Sequence, residues 1–285
     1  MWGISMTSLT ITSISAPVQT APFALIDTLT HALEQAAYPL QEGDVVAISS
    51  KYVAISEGRI VTLDEVQPGE RALEFAARYH MDARMAQLVV QEAEHIFGGI
   101  PLGYLLTWRQ GVISPNAGID RSNIPAGYAV LLPEDSYVSA RRIWVALQAH
   151  YGIRLGVILT DSWLVPGRWG TTGVSLGSAG FEPVEDERGK PDLFGSPMQV
   201  TQRGVADALS VAAQATMGER DEATPIVVLR GANITLTDEE ITAERVSIPW
   251  NLDLYVESLT VGLLPDGAPT ESLSARFAKK MTPGG

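Results

Sequence analysis

The chain of 285 residues contains no cysteine. Disulfides, thiolate zinc sites, iron–sulfur clusters and cysteine nucleophiles are thereby excluded, and the composition suits a reducing compartment such as the cytoplasm. Basic residues are few: 20 Lys and Arg against 33 Asp and Glu leave a formal net charge of −13. A field of that sign repels nucleic acid and anionic lipid, so neither is expected as a partner. A polyanionic ligand would need metal ions or a local basic pocket to offset it. No apolar run reaches the roughly 18–20 residues that span a bilayer. The opening MWGISMTSLTITS lacks the basic and long apolar regions of a secretory signal.

Several common signatures are also missing. No GxxxxGK phosphate loop followed by Ser or Thr occurs, no GxGxxG opens a helix after a strand, and no HExxH is found. His31, His80, His95 and His150 are widely scattered. Each reads as a surface or satisfied structural residue.

What is present is a globular composition, 46% hydrophobic and 19% charged, with enough length for a full core. Leu9–Ile14 alternates as a half-buried strand does, and residues 23–37 place Leu25, Ile26, Leu29, Leu33 and Ala36 at helical spacing. Asp44–Ser49 reads as a buried strand. Helices are predicted near 69–80, near 82–94 with Asp82 as N-cap, and from Asp135–Ser136 to Gly152. Leu155–Thr160 and Pro225–Leu229 are continuous apolar runs of buried-strand type, with a helix at about 205–217 between them. The middle, around Gly98–Gly99, reads as loop-rich. Helices and strands mix without strict alternation, which predicts an α+β or mixed-sheet fold rather than a doubly wound one. Residues 1–260 read as one domain and 261–285, rich in Pro, Ser, Gly and Lys, as a mobile tail.

Four polar, glycine-bearing segments stand at the ends of strand-like or helical runs: Ser49-Ser50-Lys51 leading to Ser56–Arg59, Asn116–Asn123, Thr160-Asp161-Ser162, and Met217-Gly218-Glu219. A carboxylate followed by a hydroxyl, as in Asp161-Ser162, offers oxygen to a hard cation, and Asp120 brought alongside would supply a second carboxylate for Mg²⁺ or Mn²⁺ bridging to phosphate. Taken alone, Asp161-Ser162 fits a turn cap better than a cation site, and Asn116–Asn123 fits a self-bonded polar loop.

Taken together, the segments resemble the coenzyme F420-0:γ-glutamyl ligase (F420-0:L-glutamate ligase) family. The likeness is an ordered series: GDVVAISSKYVAISEGRI (43–60), NAGIDRSNI (116–124), LLPEDSYVSARRI (131–143), GVILTDSW (156–163), GTTGVSLGSAG (170–180), RGKPDLFG (188–195), VTQRGVADALSVAAQATMGE (200–219) and PIVVLRG (225–231). It covers roughly residues 8–235. The resemblance implies a mixed-sheet α+β fold of the family's own type, an intertwined homodimer, GTP as co-substrate, Mg²⁺ or Mn²⁺ at two sites and a stimulating K⁺. It implies phosphorylation of the terminal carboxylate of F420-0 to an acyl phosphate, followed by attack of the L-glutamate amine. Such chemistry needs positioned charge more than covalent help from the protein.

Carried over by position, Asp120 and Asp161 resemble the catalytic ligands of the first metal, with Ser162 in place of a metal-binding Thr. Glu219 resembles a ligand of the second metal. Ser49, Ser50, Lys51, Asn123, Met217 and Gly218 fall in nucleotide-binding segments, and Met217–Thr224 corresponds to a nucleotide loop. Arg141, Arg142, Arg168, Lys190 and Asp192 fit ligand contact and structural pairing equally. Departures are specific. A Lys of the family's Ser-Lys-Ala-Glu-Gly is Ile55 here, an Arg of its Gly-Arg-Pro is Val165, and an N-terminal Leu-Pro-Leu-Ile signature has no clear counterpart around Pro17–Thr20. On a regular strand Lys51 would share a face with Ile55 and compensate for the missing Lys. The leading expectation is therefore a glutamate ligase acting on F420-0. The same chemistry on another carboxylate acceptor, or a catalytically silent nucleotide- or cofactor-binding relative, are the alternatives.

Overall fold

The computed structural model describes residues 8–260; the tail expected at 261–285 lies outside the described residues. In chain order, β1 (Thr10–Ile14) and α1 (Leu25–Gln35) precede β2 (Val45–Ser49), which runs directly into α2 (Ser50–Ser56). A short β3 (Ile60–Thr62) leads to α3 (Glu70–Tyr79) and α4 (Ala83–Glu92), then to a meander of β4 (His95–Ile100), β5 (Tyr104–Arg109) and β6 (Val112–Pro115). β7 (Tyr128–Val130) pairs with β3 and is followed by α5 (Ser136–Tyr151), β8 (Gly156–Leu164) and β9 (Thr171–Ala179). β10 (Val184–Asp186) and β11 (Gln202–Gly204) form a ribbon before α6 (Val205–Met217) and β12 (Ile226–Arg230); α7 (Ala243–Val246) and α8 (Leu254–Thr260) close the described chain.

The central sheet has the order β1-β12-β2-β8-β9, with β2 and β8 parallel and every other pairing antiparallel. It is the mixed sheet that the sequence predicts. Both faces are covered, which explains the continuous apolar runs. Val46, Ile48, Val157, Leu159, Ile226 and Val228 point into one core with α1 and α5, while Val45, Ala47, Ile158, Val227 and Leu229 point into another with α6. A further core joins α3 and α4 to the meander through Leu63, Leu88, Val89 and Leu105.

Local signals account for the helix ends. Asp82 accepts the Arg84 N–H at 2.8 Å, and Asp135 accepts those of Tyr137 and Val138 at 2.9 and 3.0 Å, as N-cap carboxylates do. Gly152 ends α5 in the left-handed region, φ 68°. On β9 two glycines permit close approach of helix backbone. A Cβ on Gly173 would lie 2.2 Å from the Ser210 carbonyl oxygen on α6, and one on Gly177 would lie 2.4 Å from that of Ser136 on α5. Between them the β8–β9 register shifts after Leu159, leaving Leu176 as an extra residue on β9.

Three expectations need correction. Asp161 and Ser162 are not in a turn after β8 but within it, paired with Val174 and Gly173, because the strand continues to Leu164. Residues 50–56 are helical rather than strand-like. Gly98–Gly99 belongs to β4, where a bulge between Ile96 and Gly98 absorbs the glycine pair. No described helix is long and apolar enough to cross a membrane.

Candidate active site

The parallel pairing of β2 with β8 ends at Ser49 opposite Thr160, while β8 runs on to Leu164. Beyond them opens a cleft of ≈ 770 Å³, walled by α2, β5 and β6, the loop through residues 118–123, the far ends of β8 and β9, and the segment after α6. Ser49, Lys51, Asp120, Asn123, Asp161, Ser162, Met217, Gly218 and Glu219 all line it. Ser50 is buried behind the wall and donates its hydroxyl to Asp161 Oδ2 at 2.7 Å. Segments separated by up to about 170 residues in sequence therefore meet in one cavity.

The two aspartates sit in different electrostatic surroundings. Asp161 Oδ1 accepts the Ser162 N–H at 2.7 Å, yet burial lifts its carboxyl to about 6, and the nearby Asp120 charge adds to that rise. For Asp120, burial also pushes upward, but the Lys51 ammonium and the Ser122 hydrogen bonds outweigh it and hold the carboxyl below its ordinary value. Lys51 Nζ forms an ion pair with Asp120 Oδ2 and donates to the Ser122 carbonyl and hydroxyl oxygens at 3.0 Å each. Ser122 N–H and Oγ bond Asp120 at 2.7 and 2.8 Å. Asp120 is thus held in its ionised form by its partners, whereas burial disfavours the ionised form of Asp161. The hydroxyl of Thr160, buried in the same wall, has no hydrogen-bond partner.

Glu219 is exposed, and its Oε1 accepts from Gln214 Nε2 at 2.8 Å and Thr171 Oγ1 at 3.1 Å. Asn123, in the left-handed region at φ 52°, donates its amide to the Glu219 carbonyl at 3.4 Å and so ties the 118–123 loop to the end of α6. Gly218 has φ 79°, and a Cβ there would meet the Glu222 carboxylate at 2.4 Å. Thr224 Oγ1 closes the 217–224 loop on the Met217 carbonyl at 2.6 Å. Among the described residues, no three His, Cys, Asp or Glu side chains converge on one point as a metal cage. The available donors, two carboxylates with neighbouring hydroxyls, match Mg²⁺, which takes one or two carboxylates and completes its shell with water and substrate phosphates.

Lys51 and Ile55 share a face, as the sequence suggests, but through helical i,i+4 spacing on α2 rather than strand alternation. Both line the cleft, with Ile55 only 4% exposed. Ala16–Gln19 contribute to the wall as well, held by the Tyr52 hydroxyl donating to the Pro17 carbonyl at 2.9 Å. Of the other charges that the sequence left open, four have structural partners: Arg142 pairs with Glu57 at 2.6 Å, Arg141 lies over Trp144, Lys190 pairs with Glu187, and Asp192 accepts the Phe194 and Ser196 N–H groups. The histidines likewise make local contacts: His31 with Gln35, His95 stacked on Trp250, His150 edge-on to Tyr151, and His80 ending α3 in the left-handed region. Sequence reading passed over Arg109, which lines the cleft from β5. Its Trp-Arg-Gln-Gly surroundings follow no motif, and only the fold turns it inward.

Residues 14–231 match the family described as F420-0:Gamma-glutamyl ligase. The chain belongs to the F420-0:γ-glutamyl ligase family. Its relatives include the coenzyme F420:L-glutamate ligase of Methanopyrus kandleri, 40% identical over 192 residues, covering 67% of this chain and 76% of that protein. The enzyme of the same name from Methanosarcina mazei is 36% identical over 220 residues, covering 77% and 86%. That of Halobacterium salinarum is 41% identical over 198 residues, covering 67% and 76%. In this member of the γ-glutamyl ligase family the match takes in the whole central sheet except β1, of which it includes only Ile14, together with every cleft residue named above. The segment from Ala232 onward lies beyond it. There Trp250 stacks on His95 of the meander, with ring centroids 4.4 Å apart.

Proposed function

We propose that the protein joins L-glutamate to the terminal carboxylate of coenzyme F420-0, consuming GTP and depending on a divalent metal. The observation that carries this reading is the single cleft that gathers Lys51, Asp120, Asn123, Asp161 and the 217–224 loop in a chain of this family. A carboxylate oxygen of the acceptor attacks the γ-phosphorus, GDP leaves, and the acceptor becomes an acyl phosphate. The amine of glutamate, free of its extra proton, then attacks the carbonyl carbon; phosphate departs and an amide remains.

Asp120, Asp161 and the hydroxyl of Ser162 would hold one Mg²⁺ or Mn²⁺, and Glu219 a second. When bound, these ions supply neutralisation of the phosphate oxygens. The chain's own residues do the rest. Lys51 adds a cation to an acidic molecule, and the 217–224 loop, Asn123 and Ser49 position the nucleotide, while Ser50, buried behind the wall rather than in contact with the cleft, orients Asp161. K⁺ as an activator, a cytoplasmic location and a homodimer belong to the same proposal. Support for the dimer comes from exposed apolar side chains in the β8–β9 and β10–β11 connections, where Trp169, Leu193 and Phe194 are over 90% exposed.

The test is to incubate the protein with F420-0, GTP, Mn²⁺ and glutamate and to measure the mass of the deazaflavin product. A gain of one or more glutamyl residues is expected; GTP bound without any product would point to the silent relative. Ile55 favours a second reading, because it places an apolar side chain where the resemblance has a Lys. In that case the same assay with other carboxylate acceptors yields an amide and F420-0 does not.

A further inference from the structure

Arg109 stands in the meander wall of the cleft, and its side chain is 7% exposed. Nη2 pairs with Glu92 Oε2 at 3.0 Å and donates to the Pro133 carbonyl at 3.2 Å. Glu92 is shared, since its Oε2 also takes Arg59 Nη2 at 2.6 Å. Two guanidinium groups thus rest on one enclosed carboxylate and leave a surplus positive charge. Glu94 and Glu134 also attract Arg109, but both are exposed and screened by water. Nη1 of Arg109 is enclosed and has no hydrogen-bond partner among the described residues. Val112, Ser114 and Leu132 line the same cleft, and in such partly apolar surroundings water competes poorly with a ligand for a charged donor. A planar guanidinium with an unmet N–H edge suits a carboxylate.

Building on the ligase reading, we propose that Arg109 anchors a carboxylate of the incoming amino acid. Of the groups brought to the reaction, the phosphates are served by Lys51 and the metal-binding side of the cleft, and the acceptor carboxylate is consumed. Glutamate brings two carboxylates that do not react, and a fixed cation apart from the phosphate site orients its amine. Arg109 supplies that cation from an element that carries none of the proposed metal ligands.

The test uses the full chain with GTP, Mn²⁺ and F420-0, and compares wild type with Arg109→Lys and with Arg109→Gln, which leaves Glu92 paired with Arg59. The KM for glutamate should rise roughly 10- to 100-fold, the range of one lost charge-assisted hydrogen bond, while the KM for GTP stays the same. Two glutamate analogues sharpen the outcome. γ-Aminobutyrate lacks the α-carboxylate and norvaline lacks the side-chain one; the wild-type preference for glutamate over one of them should collapse in the variants. An unchanged glutamate KM in a folded variant, or a rise confined to GTP or F420-0, overturns the inference and leaves the ligase reading intact. A wild-type protein that makes no glutamyl product overturns the ligase reading instead.

Discussion

The two walls of the cleft carry opposite charges that the free chain does not balance. On the sheet wall Asp161 is held by a hydroxyl and a backbone N–H, with its carboxyl raised to about 6 by burial and by Asp120. On the meander wall Arg109 shares Glu92 with Arg59, and burial pulls its guanidinium below the ordinary value. In both places desolvation outweighs the local partners. A protein optimised for stability alone would pair or remove such groups. Both groups line the same cleft, and the proposed cation and amino-acid carboxylate would each meet one of them.

Substitutions can break this contrast. The largest effect is expected from Asp161→Asn, which should lower glutamyl transfer by about 10³-fold or more while the protein remains folded, since charge stabilisation of the phosphoryl group is lost. Retained turnover would exclude Asp161 from metal binding. The walls should differ in stability as well. Glu92→Gln leaves two guanidinium groups without their carboxylate and should destabilise the fold by about 3 kcal/mol or more in denaturant melts. Asp161→Asn should instead stabilise the metal-free protein by about 1–2 kcal/mol at pH 7, because it removes a carboxylate that is costly to ionise.

A pH titration sharpens the same point. The folded protein holds a proton on Asp161 that the unfolded chain, with a value near 3.8, has already released. Stability of the metal-free form should therefore fall as pH rises from about 4 to 6. Divalent-metal affinity, measured calorimetrically, should rise through the same window, about tenfold per unit below 6, and level off above it. The smallest effect is expected from Ile55→Lys on the sheet-side helix, which should tighten GTP binding about 3- to 10-fold by adding a cation one turn from Lys51. An unchanged affinity would mean that Lys51 already meets the phosphate charge.

Much of this was legible in the sequence for identifiable reasons. The apolar runs at 45–49, 156–159 and 226–229 marked strands covered on both faces, and Asp82 and Asp135 marked helix starts that their carboxylates do cap. Several of the collinear motifs brought out cleft residues, because the segments at 49–51, 118–123, 160–163 and 217–219 reach the same cleft. Strand β9 was harder to see. Its glycines weaken any strand signal, and the reason for them, backbone contact with α5 and α6, exists only after packing. The helical turn at 50–56 was hidden for a similar reason: Val53, Ala54 and Ile55 carry strand-compatible side chains, and all are buried on a short helix. Arg109 left no trace in spacing or composition. Its significance comes from a shared carboxylate 17 positions earlier in the chain and from an N–H edge that nothing in the fold satisfies.

The extra residue Leu176 has a consequence for β9 as a whole. Gly173 and Gly177 are four apart and on an unbroken strand would look toward the same layer, yet one meets α6 and the other α5. The single inserted residue changes the parity of the strand midway, so that one short ribbon serves as the seat for two helices on opposite sides. Without that residue the two glycines would need an odd spacing to face opposite layers; at their spacing of four, the bulge is what lets both helices rest on bare backbone.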